Sequence, residues 1–148
     1  MSQQIIDRVT FLVGEFDKRV QAAPANSWGN ASPCEGWTAR DVVVHVGNNL
    51  KGITASLTGS ERSQIEADDD IVAAWNATLS AFNAVLTTAD LSASINGPFG
   101  PMPAADLLGR LVANDVLVHT WDLARAVGGD ERLDEEMVRG AYSGMKPM

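Results

Sequence analysis

The sequence predicts an all-α protein, a four-helix bundle with a short fifth helix near the C-terminus. Three observations carry that prediction. Apolar residues recur at helical spacing in four long segments, Gly and Pro cluster between them, and no long run shows the alternation of half-buried strands. At 148 residues the chain is long enough to bury one core, so residues 1–148 are expected to form a single domain.

Each element has its own signature. Ile5, Val9, Leu12, Val13, Phe16 and Val20 mark the first helix, and Pro24 follows its expected end. The second begins after the turn-rich "NASPCEGWT", with Thr38 as N-cap and Asp41 as the acidic member of an imperfect capping box, and runs to about Gly59. The third follows "ADDD" and carries Val72, Trp75, Leu79, Phe82 and Leu86. The Asp68-Asp69-Asp70 run suits a helix N-terminus, and it lacks the glycine and terminal glutamate of a calcium loop. "LSASINGPFGPMP" reads as an extended or looped connection. The fourth helix starts near Pro103 and stops at Gly128-Gly129. "LDEEMVRGAYSGM" then predicts the short fifth helix, capped by Asp130 or Asp134.

Composition excludes several function classes. A net charge of −8 speaks against nucleic acid and against anionic membrane surfaces as partners. No apolar run approaches the ~18 residues of a membrane span, and the amphipathic N-terminus carries acids, unlike a signal peptide. The expected location is cytoplasmic. Cys34 is the single cysteine, so an internal disulfide is excluded. The triplets at Asn30 and Asn76 are then chance matches to a glycosylation acceptor. There is no Gly-rich phosphate loop and no serine in a nucleophile elbow.

The chemistry concentrates in "NDVLVHTWDLARAVG", residues 114–128. At about 100° per residue, His119 falls some 40° to one side of Asp115 and Asp122 some 20° to the other. Leu108, Leu111, Val112 and Ala126 share that sector, whereas Arg110, Asn114 and Leu117 point elsewhere. The polar trio thus lies on the apolar stripe, where an uncompensated carboxylate costs several kcal/mol. An ion pair, a hydrogen-bonded core network or a metal ion would each compensate it. For Asp115 and His119 alone, a self-satisfied pair is the simplest account.

His45, the only other histidine, lies on the second helix at the edge of its apolar side, in line with Asp41, Asn49, Gly52 and Ser56. His45, Asp115 and His119 together make two imidazoles and one carboxylate, a set suited to Zn²⁺, Ni²⁺ or Fe²⁺. Three protein ligands leave one position open for water or a thiol. Asp41 and Asp122 are expected to support the imidazoles from outside. Cys34 is weighed as a reactive thiol or fourth ligand against ordinary packing, which is the default. Trp37, Trp75 and Trp121 are read first as packing residues, with Trp121 facing a second interface such as a homodimer contact. Arg125 is expected to pair with Asp122 or the acidic tail.

"SPCEGWTARDVVVHVGNN" and "NDVLVHTWDLARAVG" resemble the two signature stretches of actinobacterial DinB-like proteins. More narrowly, they resemble the metal-binding N-terminal domain of mycothiol-dependent maleylpyruvate isomerase and its relatives, over nearly the whole chain. The resemblance implies an up-down-down-up bundle with a divalent metal, usually zinc, on His45, Asp115 and His119. It also implies mycothiol or a similar small thiol as co-substrate, its sulfur activated by the metal, and a small electrophile as the other partner. Two departures matter. Asp115 stands where the isomerase has glutamate, and nothing here corresponds to the isomerase's C-terminal domain, so maleylpyruvate is not the expected substrate. The expectation is a metal-dependent thiol transferase or isomerase. The alternatives are a non-catalytic metal-binding sensor, carrier or dimeric module, and a metal-free bundle.

Overall fold

A computed structural model describes residues 2–97 and 100–145. Pro98 and Phe99 of the predicted connection lie outside the described residues. The elements are α1 (Ser2–Ala22), α2 (Ala39–Thr58), α3 (Ile71–Leu86), β1 (Ser94–Gly97), β2 (Gly100–Pro103), a long α4, and α5 (Glu135–Met145). Helix α4 starts as Ala104–Asp106, widens into a π-helical segment over Leu107–Val112, and continues as α-helix over Ala113–Val127.

The helices begin where short polar side chains satisfy free N–H groups. Thr38 accepts from the Asp41 N–H at 3.2 Å, and Asp41 accepts from the Thr38 N–H at 2.9 Å, completing both halves of the capping box. Asp70 accepts from Ala73 N at 3.0 Å to start α3, with Asp69 bonding Glu66 N at 2.8 Å. Asp134 caps α5 through Met137 N at 3.0 Å. The other predicted cap, Asp130, pairs with Arg132 instead. Gly59 and Gly128 end α2 and α4 at φ 69° and 71°, where a Cβ would be strained.

Helix α1 packs on α3 and α4, and α2 packs on the same two helices, so the four form a ring around one core. Phe16 and Trp75 meet at its centre with ring centroids 5.0 Å apart, and the Trp75 indole N–H donates to Asp17 at 2.8 Å. Because α4 touches both α1 and α2, it has two buried sides. Leu117, expected to point away from the core, is therefore buried. The segment expected to be extended or looped is extended, and it forms an unforeseen antiparallel ribbon that pairs Ser94 with Pro103 and Asn96 with Pro101. Two four-residue strands, one with prolines at two of its positions, are too short and irregular to show a two-residue period.

Arg19 is buried in α1 and fastens the chain after α4. Its guanidinium donates to Asp130 O at 3.1 Å and to Arg132 O at 2.7 Å. Among the described residues, no helix is long and apolar enough to cross a membrane.

Replacing Thr38 by Ala removes one half of the α2 cap and is expected to cost about 1 kcal/mol. Phe16→Ala, which opens a cavity beside Trp75, is expected to cost about 3–5 kcal/mol. Urea denaturation followed by circular dichroism measures both. Equal losses would contradict this ranking of cap and core.

Candidate functional site

Helices α2 and α4 are neighbours in the ring, and their polar residues meet near the start of α2. His45 Nε2 lies 3.2 Å from Asp115 Oδ2, and His119 Nε2 lies 3.2 Å from Asp115 Oδ1. One donor atom from each of these three residues falls within 4.8 Å of the other two. The Asp115 carboxylate therefore stands between two imidazoles from two helices. Asn49, one turn after His45, adds its amide at 3.3 Å from His45 Nε2 and 3.4 Å from Asp115 Oδ2.

The far side of His119 is fixed. Its Nδ1 lies 3.0 Å from Asp122 Oδ2, an oxygen that also accepts the Cys34 S–H at 3.2 Å. A carboxylate only accepts, so Nδ1 carries the hydrogen. In the neutral ring, Nε2 would then aim a lone pair at the Asp115 oxygen. Two lone pairs at that separation repel, and a cation must sit between them: a proton on Nε2 or a metal ion. The electrostatics agree. Burial opposes charge on both residues, but hydrogen bonds and the opposite charge of each other outweigh it. Asp115 is held well below the usual carboxylate range, and His119 is raised above the usual imidazole value.

The loop between α1 and α2 roofs this cluster. Asn30 anchors the loop by donating to Ala126 O at 3.0 Å, and an isolated bridge pairs Ala31 with Thr38. Trp37 thereby lies with its ring centroid 5.0 Å from that of His45 and 5.9 Å from that of His119. Beside the cluster is a cavity of about 530 Å³ between α2, the π-helical segment and β1, with Asp115 in its wall. Asn49, Ser56, Arg62 and Asn96 form its polar lining, while Ile53, Ile95, Leu107, Leu111 and Val112 form the apolar one.

The structure brings His45, Asp115, His119 and Asp122 together. Asp41 is not part of the group, because its carboxylate is engaged in the α2 cap. Arg125 pairs with Glu131 of the tail at 3.2 Å and lies over the half-exposed Trp121 ring, away from Asp122. Sequence reasoning made packing the default for Cys34 and Trp37, read Asn49 with Gly52 and Ser56 as the wall of a polar pocket, as the cavity lining has it, and gave Arg62 no role. Only Asn49 carried a usable signal, the four-residue spacing from His45 on one helix.

A ring of four helices with an imidazole–carboxylate cluster between two of them, roofed by a loop and opening on a cavity, defines a DinB-like bundle. The chain belongs to the mycothiol maleylpyruvate isomerase N-terminal domain family, whose sequence pattern matches residues 11–124. Two uncharacterized Mycobacterium tuberculosis proteins are each 34% identical over 119 residues, covering 76% of this chain. The chain spans 62% of the length of these relatives. The fold is also that of crystal structures of the mycothiol-dependent maleylpyruvate isomerase and a histidine-to-alanine mutant of it. Each has a TM-score of 0.72 at 15% and 13% identity respectively, with 94% of this chain and 67% of theirs aligned.

Burial, then the bond to Asp122 and its charge, push the Cys34 thiol up. Iodoacetamide at neutral pH is therefore expected to alkylate Cys34 several-fold more slowly than a cysteine in an unstructured peptide. Asp122→Asn, which keeps the side chain's shape and removes its charge, is expected to speed the reaction. Mass spectrometry of timed samples reads both, and equal rates in wild type and variant would refute the coupling.

Proposed function

We propose that this protein holds a divalent metal ion on His45, Asp115 and His119 and uses it to activate a small thiol toward a small electrophile. The carrying observation is the enforced meeting of His119 Nε2 with Asp115, which calls for a cation between them. Two neutral imidazoles and one carboxylate suit zinc, with nickel or iron as further candidates. Bound there, such an ion would lower the pKa of a coordinated thiol so that it reacts as thiolate.

The chain's own residues supply the rest. Asp122 keeps the proton on His119 Nδ1 and so leaves Nε2 free to ligate. Asn49 donates toward the Asp115 carboxylate and restrains its rotation. Trp37 covers the two imidazole rings and limits water above them. Family membership supports mycothiol, or a thiol like it, as co-substrate. Thiol transfer and thiol-assisted isomerisation both fit, since each begins with the thiolate adding to an electrophilic carbon. The cavity beside Asp115 favours catalysis over a purely metal-storing or interaction module, which would have no use for it. Asp115 is one methylene shorter than the glutamate that the resemblance leads one to expect, so α2 and α4 must approach closely for it to reach both histidines.

Metal analysis of native protein beside His45→Ala and His119→Ala tests this reading. About one equivalent is expected in wild type, with nearly complete loss in both variants. Asp122→Asn is expected to weaken affinity roughly 10- to 100-fold. The same sub-stoichiometric metal in all of them would overturn the assignment. Thiol consumption with a panel of electrophiles then separates an enzyme from a binding module.

A further inference from the structure

We propose that the cavity beside Asp115 takes a small substrate with a carboxylate at one end, bound by Arg62, and its reacting carbon at the other. This rests on the reading above and names the class of electrophile.

Among the described residues Arg62 is the one basic residue in the cavity wall; it is exposed, with its guanidinium seated against α2. A Cβ added at Gly52 would lie 2.6 Å from Arg62 Nη2 and 2.8 Å from its Cζ, so the guanidinium rests directly on the α2 backbone. Glycine weakens the middle of a helix, and here its missing side chain is the space the guanidinium fills. The following loop is pinned nearby. Ile65 N donates to Asn48 Oδ1 at 2.8 Å, the Ile65 side chain occupies the space over Gly47, and Arg40 holds Glu66 O and Asp69 O, each at 2.9 Å. Among the described residues, the Arg and Lys ion pairs belong to Lys18, Arg19, Arg125 and Arg132. Arg62 is in none of them, nor are Arg8, Arg40, Lys51, Arg110 and Arg139, but of these Arg62 alone lines the cavity. In a chain of net charge −8, an arginine set against glycine in a cavity wall, with no carboxylate partner, is a site for an anion from outside.

The opposite end of the cavity fixes the orientation. Asp115 stands there beside the position read above for the metal and its thiol, which takes the reacting carbon, so the anion belongs at Arg62. Gly52 is seven residues beyond His45, which is roughly 10 Å along the helix. A two-carbon acid cannot bridge that distance, whereas an acid of about six carbons, counting its contact with the guanidinium, can. Ile53, Leu111 and Val112 supply the apolar wall along which such a spacer would lie.

Hexanoate and hexanamide, equal in length and different in charge, are the probes, with binding measured by calorimetry. Hexanoate is expected to bind wild type and to weaken at least tenfold in both Arg62→Gln and Gly52→Ala, the latter by pushing the flexible guanidinium off its seat. Binding is expected to survive in His119→Ala. Hexanamide is expected to bind weakly and alike in all four proteins. Unchanged hexanoate affinity in Arg62→Gln overturns the proposal. So does loss in His119→Ala with retention in Arg62→Gln, which would put the carboxylate on the metal ligands. Metal content is measured on the same samples. A metal-free wild type that still binds hexanoate through Arg62 upholds the subsite and refutes the metal reading alone. Unchanged urea midpoints exclude misfolding as the cause of any loss.

Discussion

The bond between His119 Nδ1 and Asp122 is the constraint on which the site depends. Both residues lie on α4, three apart, so the helix itself sets their meeting and little else can disturb it. Once Nδ1 is committed, Nε2 can only face Asp115, and the need for a cation follows from donor and acceptor counting. The same Asp122 oxygen takes the Cys34 S–H, which ties the roof loop to the helix beneath it. One buried carboxylate thus sets a tautomer, the direction of His119 Nε2 and the position of a loop.

The bundle makes this polar arrangement tolerable in energetic terms. Each polar residue of the cluster is flanked on its own helix by fully buried neighbours, Val42 and Val46 beside His45, Val116 and Leu123 on α4. These hold the backbones at a separation where a short aspartate spans the gap. Burial is graded across the cluster. The His45 and Asp115 side chains keep 31% and 32% of their exposure, against 12% and 7% for His119 and Asp122. The more accessible Asp115 lines the cavity, and His119 and Asp122 are the more deeply buried.

Much of this was legible in the residues. The four long helices follow from apolar spacing and caps, and the meeting of His45 with Asp115 and His119 follows from placing the latter two on a core-facing stripe and His45 at the edge of another. What was hidden is contact across distant segments. Cys34 reaches Asp122 over 88 positions, and nothing in "SPCEGWT" reports it. Asp41 looked like support for His45 because one turn separates them, but the N–H groups at the start of α2 had the prior claim on its carboxylate. Leu117 was misplaced because one apolar stripe was assumed for a helix that packs on two sides. The ribbon and Arg62 act through tertiary placement, for which local periodicity has no signature.

The π-helical segment at Leu107–Val112 separates two jobs that one helix would otherwise have to combine. It carries much of the apolar cavity wall, and its Gly109 carbonyl is taken up by Arg8 of α1 at 2.9 Å. The histidine and the two aspartates all lie beyond it, in regular helix. A π turn amounts to one residue inserted into an α-helix, which rotates the stretch before it by roughly 100° relative to the remainder of the helix. Gain or loss of a single residue here would therefore exchange one set of wall side chains for another while every cluster residue stayed in place. The bundle can in this way change what it accommodates by a length change in one turn, with its polar centre inherited intact.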